Sequence, residues 1–371
     1  MRGMSRQTKN TEYLFGASVV IAAMQHDFRK PSCLFVKQDD RFGGLKIKWD
    51  GEAVLPGQRT PGASIGGMEG ESRDVMDLAV QLANRREIRV KEAPASQLDK
   101  LSGGRPHQGL VLATLPPRVV NLTGLGNCDF ETADGGDDAD ADGFGTDGAA
   151  SRAGRTERGV YQANSVDGPL LMRAKGSRRY PLWLALDQIV DPQNLGAILR
   201  SAFFFGVDGV VVTERDSAPF SPVASKASAG AMEAMQLFST PNLTKFLTES
   251  ALNGWQLLGT DIYASKAVTV PLHMFRSLAA AGAAGPDAAG SRDPRRPLRP
   301  ADAPTLLVLG NEGRGMRRSV SRQCHHHLVI SQGPESVPEV SNGITPTRVD
   351  SLNVSVAAGI LLHELTQGLE P

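Results

Sequence analysis

Several things are scarce in this 371-residue chain, and each scarcity excludes something. Cysteine is nearly absent: Cys33, Cys128 and Cys324 lie far apart and form no C-x-x-C pair. That argues against a disulfide framework and against a cysteine zinc site. Aromatic residues make up only 5% of the chain, against 40 glycines and 23 prolines, a balance that points to long irregular stretches. Net charge is missing too, because 40 basic residues meet 40 acidic ones. Bulk basicity therefore cannot drive nucleic-acid binding, although a local basic face survives a neutral total. No apolar run approaches the roughly 18 residues of a membrane-spanning helix, so the chain reads as soluble, with no membrane partner, in a reducing compartment. Hydrophobic residues, at 40%, are still enough to build an ordinary core.

The length predicts two domains. The first ten residues, MRGMSRQTKN, carry Arg2, Arg6 and Lys9 and no acid; this is transit-peptide-like but too short for a convincing amphipathic helix. Residues 11–118 alternate β-type runs (CLFVK, GLVLATL) with a helical stretch at 72–87. There Val75, Leu78, Ala79 and Leu82 recur at i, i+3, i+4 and i+7, one apolar face. A small α/β domain is expected. The character then changes over 119–180. Residues 131–148 hold seven acids and no base, and 152–179 hold seven Arg or Lys against two acids. Such a stretch reads as a disordered linker, because it cannot offset its ordering entropy by burial. From 181 onward, apolar runs (LWLAL, GVVV, WQLLGT, TLLVLG, HLVI) are separated by helical patterns. Strands apolar on both faces predict a parallel sheet covered on both sides. A second low-complexity stretch, 279–304, reads as a surface insertion in this domain.

Three blocks of the second domain carry candidate chemistry. In LALDQIVDPQNLGAILRSA a strand ends, a turn places Asn194 in cap position, and a helix bearing Gly196 and Arg200 begins. The C-terminal ends of strands are where α/β sheets place ligands; a capping Asn and a surface Arg account for the same residues. In LLVLGNEGRGM an apolar strand runs into three glycines around Asn311, Glu312 and Arg314. Bare backbone can approach a ligand closely there, yet the spacing matches neither a P-loop nor a dinucleotide fingerprint. A tight turn with a solvated acid is the plainer account. In VDSLNVSVAAGILLHEL, Ser351, Asn353 and Ser355 crowd the start of an apolar helix, more polar groups than one cap requires. His325-His326-His327 cannot all face one ion and have no ligand-spaced partners, so they read as solvated or RNA-facing residues.

Taken in order, NLGAILRSA, LGNEGRGM and SLNVSVAAG resemble the three motifs of the SpoU branch of SPOUT RNA 2′-O-methyltransferases, over about 181–371. EYLFGASVVIAAM and RPHQGLVLA resemble the substrate-recognition domain that precedes the catalytic domain in many members. The whole is most similar to the fungal mitochondrial large-subunit rRNA guanosine-2′-O-methyltransferases. The resemblance implies an α/β catalytic domain with a deep trefoil knot, an exception to the rule of unknotted chains. It implies S-adenosylmethionine held by Gly310, Ile330 and Leu352, with Thr260 a weaker candidate, and no metal. It implies Arg200 as the catalytic arginine, Asn194, Glu312, Ser351 and Asn353 as residues orienting it and the ribose, and a homodimer. A guanosine 2′-OH of large-subunit rRNA in the mitochondrion is the implied substrate. A tRNA ribose methyltransferase, or a non-catalytic RNA-binding or ribosome-assembly protein with the same fold, remains an alternative.

Overall fold

The computed structural model describes residues 11–38, 69–132, 157–175, 180–260, 269–272, 274–275, 300, 302–331 and 351–367. In chain order, the first part holds β1 (Glu12–Phe15), α1 (Ala17–Gln25), β2 (Pro31–Lys37), α2 (Glu69–Arg85), β3 (Arg89–Ala93), α3 (Ala95–Ser102) and β4 (Leu110–Thr114). There follow β5 (Val119–Thr132), β6 (Glu157–Ser165), β7 (Gly168–Arg173), β8 (Leu182–Leu186), α4 (Pro192–Phe204), β9 (Gly209–Thr213), α5 (Pro222–Ala227), β10 (Leu237–Thr240), α6 (Leu243–Leu252) and β11 (Gln256–Thr260). The last elements are β12 (Thr269–Pro271), β13 (Thr305–Leu309), α7 (Arg318–Ser321), β14 (His326–Val329) and α8 (Val354–Thr366).

The chain divides into two compact units. The first is Met1–Arg118 together with Phe220–Ala234; the second is Val119–Pro219 together with Met235–Pro371. In the first, four strands run in the order β1-β4-β2-β3, antiparallel except for β2 against β3. Helices α1 and α2 bury Val19, Val20, Ala23, Ala79 and Ala83 against Leu14, Leu34, Leu110 and Leu112. Of the expected apolar face of α2, Val75, Ala79 and Leu82 pack on the core and only Leu78 does not, being 40% exposed; Met76, Val80 and Ala83 join them. Two rows four residues apart, starting at Val75 and Met76, make most of that stripe. Segment 220–234, expected in the second domain, folds with the first because its Glu233 is needed there. Glu233 accepts from the buried Arg29 Nε at 2.6 Å and from Ser225 Oγ at 2.7 Å, and Arg29 Nη1 also reaches Glu12 at 2.5 Å.

In the second unit ten strands run in the order β12-β14-β11-β13-β8-β9-β10-β5-β6-β7. From β12 to β5 every pairing is parallel, and β5, β6 and β7 continue antiparallel. Strands β8, β9 and β13 are buried at every residue, as a sheet covered on both faces requires. The scarce aromatics concentrate here. Trp183, Trp255, Tyr161, Phe238 and Phe246 share one core cluster. Both indoles find acceptors: Trp183 Nε1 donates to Tyr161 Oη at 2.8 Å and Trp255 Nε1 to Gly126 O at 2.9 Å. Buried indole N–H groups need such partners.

That cluster corrects the expected linker. Residues 119–132 and 157–173 are strands of the sheet, and Leu122, Leu125, Tyr161 and Ala163 lie in its core. Ser250 Oγ accepts from Leu125 N at 3.0 Å, tying β5 to α6. The alternation that places Tyr161 and Ala163 inward was masked in composition by the acidic run between the strands, of which 133–156 lies outside the described residues. Most of 279–304 lies outside them too. Its end is not surface: Ala303 is buried and Pro304 O accepts from Gln256 N at 2.8 Å. The expected knot depends on the path of 332–350, also outside the described residues.

Candidate active site

The site lies in the second unit, at the C-terminal ends of its parallel strands. Strand β8 delivers its last apolar residue, Leu186, and the chain then turns polar with Asp187 and Gln188. Gln188 holds φ at 60°, a left-handed conformation costly for a residue with a side chain. Its carbonyl accepts from Asn311 Nδ2 at 2.8 Å, a contact that helps hold the turn. Helix α4 then starts with Asp191 as its N-cap, accepting from Gln193 N at 2.8 Å, and Pro192 in its first turn. The expected cap at Asn194 is thus corrected. Asp191 satisfies the helix end, and the Asn194 side chain is free for other work.

That work is to join the three blocks. Asn194 Nδ2 donates to Glu312 Oε1 at 2.9 Å, and Asn194 Oδ1 accepts from Asn353 Nδ2 at 3.0 Å. Asn353 is also the N-cap of α8, its Oδ1 accepting from Ser355 N at 2.8 Å and Ser355 Oγ at 2.6 Å. A carboxylate, an amide and a capping amide therefore form one chain over residues 118 and 159 positions apart in sequence. Both ends of the Asn194 amide are committed, which fixes the orientation of Glu312.

Between β13 and α7 the glycine-rich loop closes on itself. Asn311 and Gly315 exchange backbone hydrogen bonds at 3.1 and 2.9 Å, and Asn311 Oδ1 accepts from Gly313 N and Arg314 N. A Cβ on Gly310 would lie 2.3 Å from Met316 N, so only glycine fits there. The loop is then pinned at its exit. Asp187, with a side chain 0% exposed, accepts from Arg317 N at 3.0 Å, Nε at 2.8 Å and Nη2 at 2.6 Å. A charge-assisted fork of this kind gives direction as well as strength.

Thr260, Gly310 and Ile330 end or follow the neighbouring strands β11, β13 and β14 and reach the same edge of the sheet. Leu352 and Ser351 are exposed beside Asn353. Among the described residues nothing bonds to Ser351. Arg200 is exposed on the third turn of α4, and no described residue bonds its guanidinium; it does not join the Glu312–Asn194–Asn353 chain. The six-residue spacing from Asn194 puts it on another helix face.

Sequence reasoning missed Asp187 and Arg317, and it named Asn311 without its role in closing the loop. An aspartate directly after a fully apolar strand was the available signal for the first, since a buried carboxylate requires a partner. The histidine run also needs correction. His326 and His327 are buried, not solvated. His325 Nδ1 accepts from Leu257 N at 3.1 Å, and His327 Nε2 lies 2.9 Å from Ser321 Oγ. Burial pushes the His326 imidazole down to about 4, with the flanking histidines acting in the same direction. In the first unit, His107 closes a turn: its Nδ1 accepts from Gly109 N at 3.0 Å and its Nε2 lies 3.2 Å from Asp99 Oδ1.

Comparison with known proteins agrees with the motifs. The profile of the SpoU rRNA Methylase family matches residues 181–363, and that of RNA 2′-O ribose methyltransferase substrate binding matches 69–120. The chain is similar to rRNA methyltransferase 1, mitochondrial, of Schizosaccharomyces pombe, with 30% identity over 289 residues, covering 75% of this chain and 74% of that protein. It is 42% identical over 192 residues to the Homo sapiens protein of the same name, covering 50% of this chain but only 45% of that one. The chain thus spans under half the length of the human relative. Among solved structures, the AdoMet-bound rRNA methyltransferase from Sinorhizobium meliloti aligns with a TM-score of 0.55 over 99% of this chain and 90% of that one. At 17% identity, that likeness speaks to the fold alone.

Proposed function

The chain belongs to the SpoU rRNA Methylase family, and from that premise we propose that it transfers the methyl group of S-adenosylmethionine to a ribose 2′-OH of ribosomal RNA. The narrower reading is a guanosine of mitochondrial large-subunit rRNA; the names of the yeast and human relatives support the organelle and the rRNA. One observation carries the proposal: the hydrogen-bonded chain Glu312–Asn194–Asn353, which draws three separate sequence blocks into one site.

The strand ends fit the cofactor. Thr260, Gly310, Ile330 and Leu352 are uncharged, and Gly310 tolerates no side chain. An uncharged edge of this kind suits a heterocycle better than a phosphate. When bound, S-adenosylmethionine supplies a methyl group activated by its sulfonium. The work left to the protein is orientation and charge. A ribose hydroxyl is a poor nucleophile near neutral pH, so it must be held in line with its target and its developing negative charge stabilised. Arg200 supplies that charge, as a fixed cation beside the oxygen and the adjoining phosphate. It is not a general base, because a guanidinium with a pKa above about 12 does not deprotonate. Asn194, Glu312, Ser351 and Asn353 position the ribose; the expectation that they also orient Arg200 is corrected, because none of them bonds its guanidinium.

A homodimer completes the reading. Helices α4 and α8 pack together, with the Phe205 and His363 rings 6.1 Å apart. Large apolar side chains nevertheless remain exposed on this pair, Phe204 at 81% and Val356 at 51%, with Phe203 and Ile360 beside them in the same two helices. An apolar surface of this kind supports a partner, and a second copy is the proposed one.

The test is transfer of labelled methyl groups to mitochondrial large-subunit rRNA and to bulk tRNA, with the modified nucleotide mapped. Label at one rRNA guanosine 2′-OH is expected, and Arg200→Ala is expected to abolish it while cofactor affinity stays nearly intact. Label only in tRNA changes the substrate and keeps the chemistry. Cofactor and RNA binding without transfer overturns the reading in favour of a non-catalytic RNA-binding protein.

A further inference from the structure

The chain as a whole is neutral, with 40 basic and 40 acidic residues. One stretch beside the site departs from that balance. Between Gly313 and His325 the sequence GRGMRRSVSRQCH holds four arginines, Arg314, Arg317, Arg318 and Arg322, and no acid. All four residues are exposed. Among the described residues, Arg314, Arg318 and Arg322 pair with no carboxylate, whereas Arg317 is held on one side by Asp187. Neutral totals make this clustering a local feature and not a by-product of composition.

The local fold sets the direction of the charges. Helix α7 buries Val320 and Ser321 against the sheet, Ser321 Oγ meeting His327 Nε2. Arg318 and Arg322 stand four positions apart on its remaining, solvent side. Arg314 sits in the closed loop whose turn is bonded through Asn311, two residues after Glu312. Arg317 directly precedes α7 in cap position, and its Nε and Nη2 are engaged by Asp187. The Arg317 side chain is still 42% exposed, so the buried carboxylate fixes the Nε–Nη2 edge of a side chain that faces solvent. A guanidinium set in this way has little rotamer freedom left to lose on binding.

We propose that Arg314, Arg317, Arg318 and Arg322 form a phosphate-binding track that grips the RNA backbone beside the target nucleotide, with Asp187 as the residue that presets Arg317. The proposal rests on the RNA reading above and names the surface by which the same site would hold its substrate. Guanidinium groups recognise phosphate by paired N–H donors. A track of this kind contributes affinity and register and carries no base preference. A neutral protein can then bind a polyanion, because local charge decides the contact.

The experiment uses the full-length protein, a fluorescently labelled single-stranded RNA oligonucleotide and anisotropy from 50 to 200 mM salt. The triple variant Arg314→Gln/Arg318→Gln/Arg322→Gln removes three cations whose guanidinium groups bond no other described residue. Each lost phosphate contact on a single strand lowers the salt slope by about 0.7. Across that fourfold rise in salt the wild type therefore weakens roughly twentyfold more than the triple variant. Cofactor affinity and melting temperature stay unchanged, and replacing the three arginines by lysine restores the slope. Where methyl transfer is measurable, the loss falls on KM for RNA and not on kcat. Unchanged slope and affinity in the triple variant overturn the proposal, as does a wild type that binds no RNA. Wild-type RNA binding that the triple variant loses, with no methyl transfer by either, upholds the track and overturns the enzymatic reading.

Discussion

The Asp187–Arg317 pair predicts an asymmetry between two substitutions that remove the same contact. Arg317→Ala leaves a carboxylate that is 0% exposed with, among the described residues, only the backbone N–H of residue 317 as donor. Stranding a buried charge costs about 3–5 kcal/mol. Asp187→Ala instead strands an arginine whose side chain is 42% exposed and can turn to water, so the main loss is one backbone acceptor and the fork. That costs about 1–3 kcal/mol. Each kcal/mol moves the melting midpoint of a unit of 150–250 residues by about 2–4 °C, so the two variants should differ by roughly 4–8 °C, Arg317→Ala the lower. The double variant should cost less than the two singles added, because the second substitution relieves the group stranded by the first. Differential scanning calorimetry of wild type, both singles and the double checks this. Equal shifts, a larger loss in Asp187→Ala, or strict additivity would refute the account of a buried anion steering an exposed cation.

Glu233→Gln should destabilise the first unit by about 3 kcal/mol, because Arg29 is fully buried and, among the described residues, keeps only Glu12 as a charged partner; faster limited proteolysis within 11–118 reads the effect. His326 has its folded pKa lowered to about 4 against the ordinary 6.5, so the folded state resists protonation. Its contribution is fully present above about pH 6.5 and is lost as pH falls toward 4. A His326→Gln variant should therefore lose less stability than wild type between pH 7 and pH 4.5 in urea titrations; equal losses would remove His326 from the acid response. Phe203→Lys/Phe204→Lys should leave a folded monomer in sedimentation velocity while the wild type sediments as a dimer.

Where the sequence was legible, the reason is local. Strands β8, β9 and β13 are apolar on both faces because they lie inside a covered sheet, and their runs marked them within one or two residues. Asn194, Glu312 and Asn353 stood out for a similar reason: polar groups where strands and helices meet are bounded by obvious apolar segments. Strands β5 to β7 were not legible, because their stability comes from distant partners. Tyr161 is placed inward by Trp183 and Trp255, 22 and 94 positions away along the chain, and a composition window around the acidic run cannot register that.

The amino-acid order by itself determined that two apolar strands run into polar blocks and that a third polar block opens an apolar helix. Those are consequences of local pattern, whereas the contact with Met316 N that keeps Gly310 bare belongs to the fold. Only the tertiary structure decided which groups touch. Asp191 took the cap that Asn194 was expected to fill, which released the Asn194 amide to bridge Glu312 and Asn353. It likewise buried Asp187 and so turned Arg317 into an oriented cation. Burial removes the competing water, and a charge without water must find its partner wherever the fold supplies one.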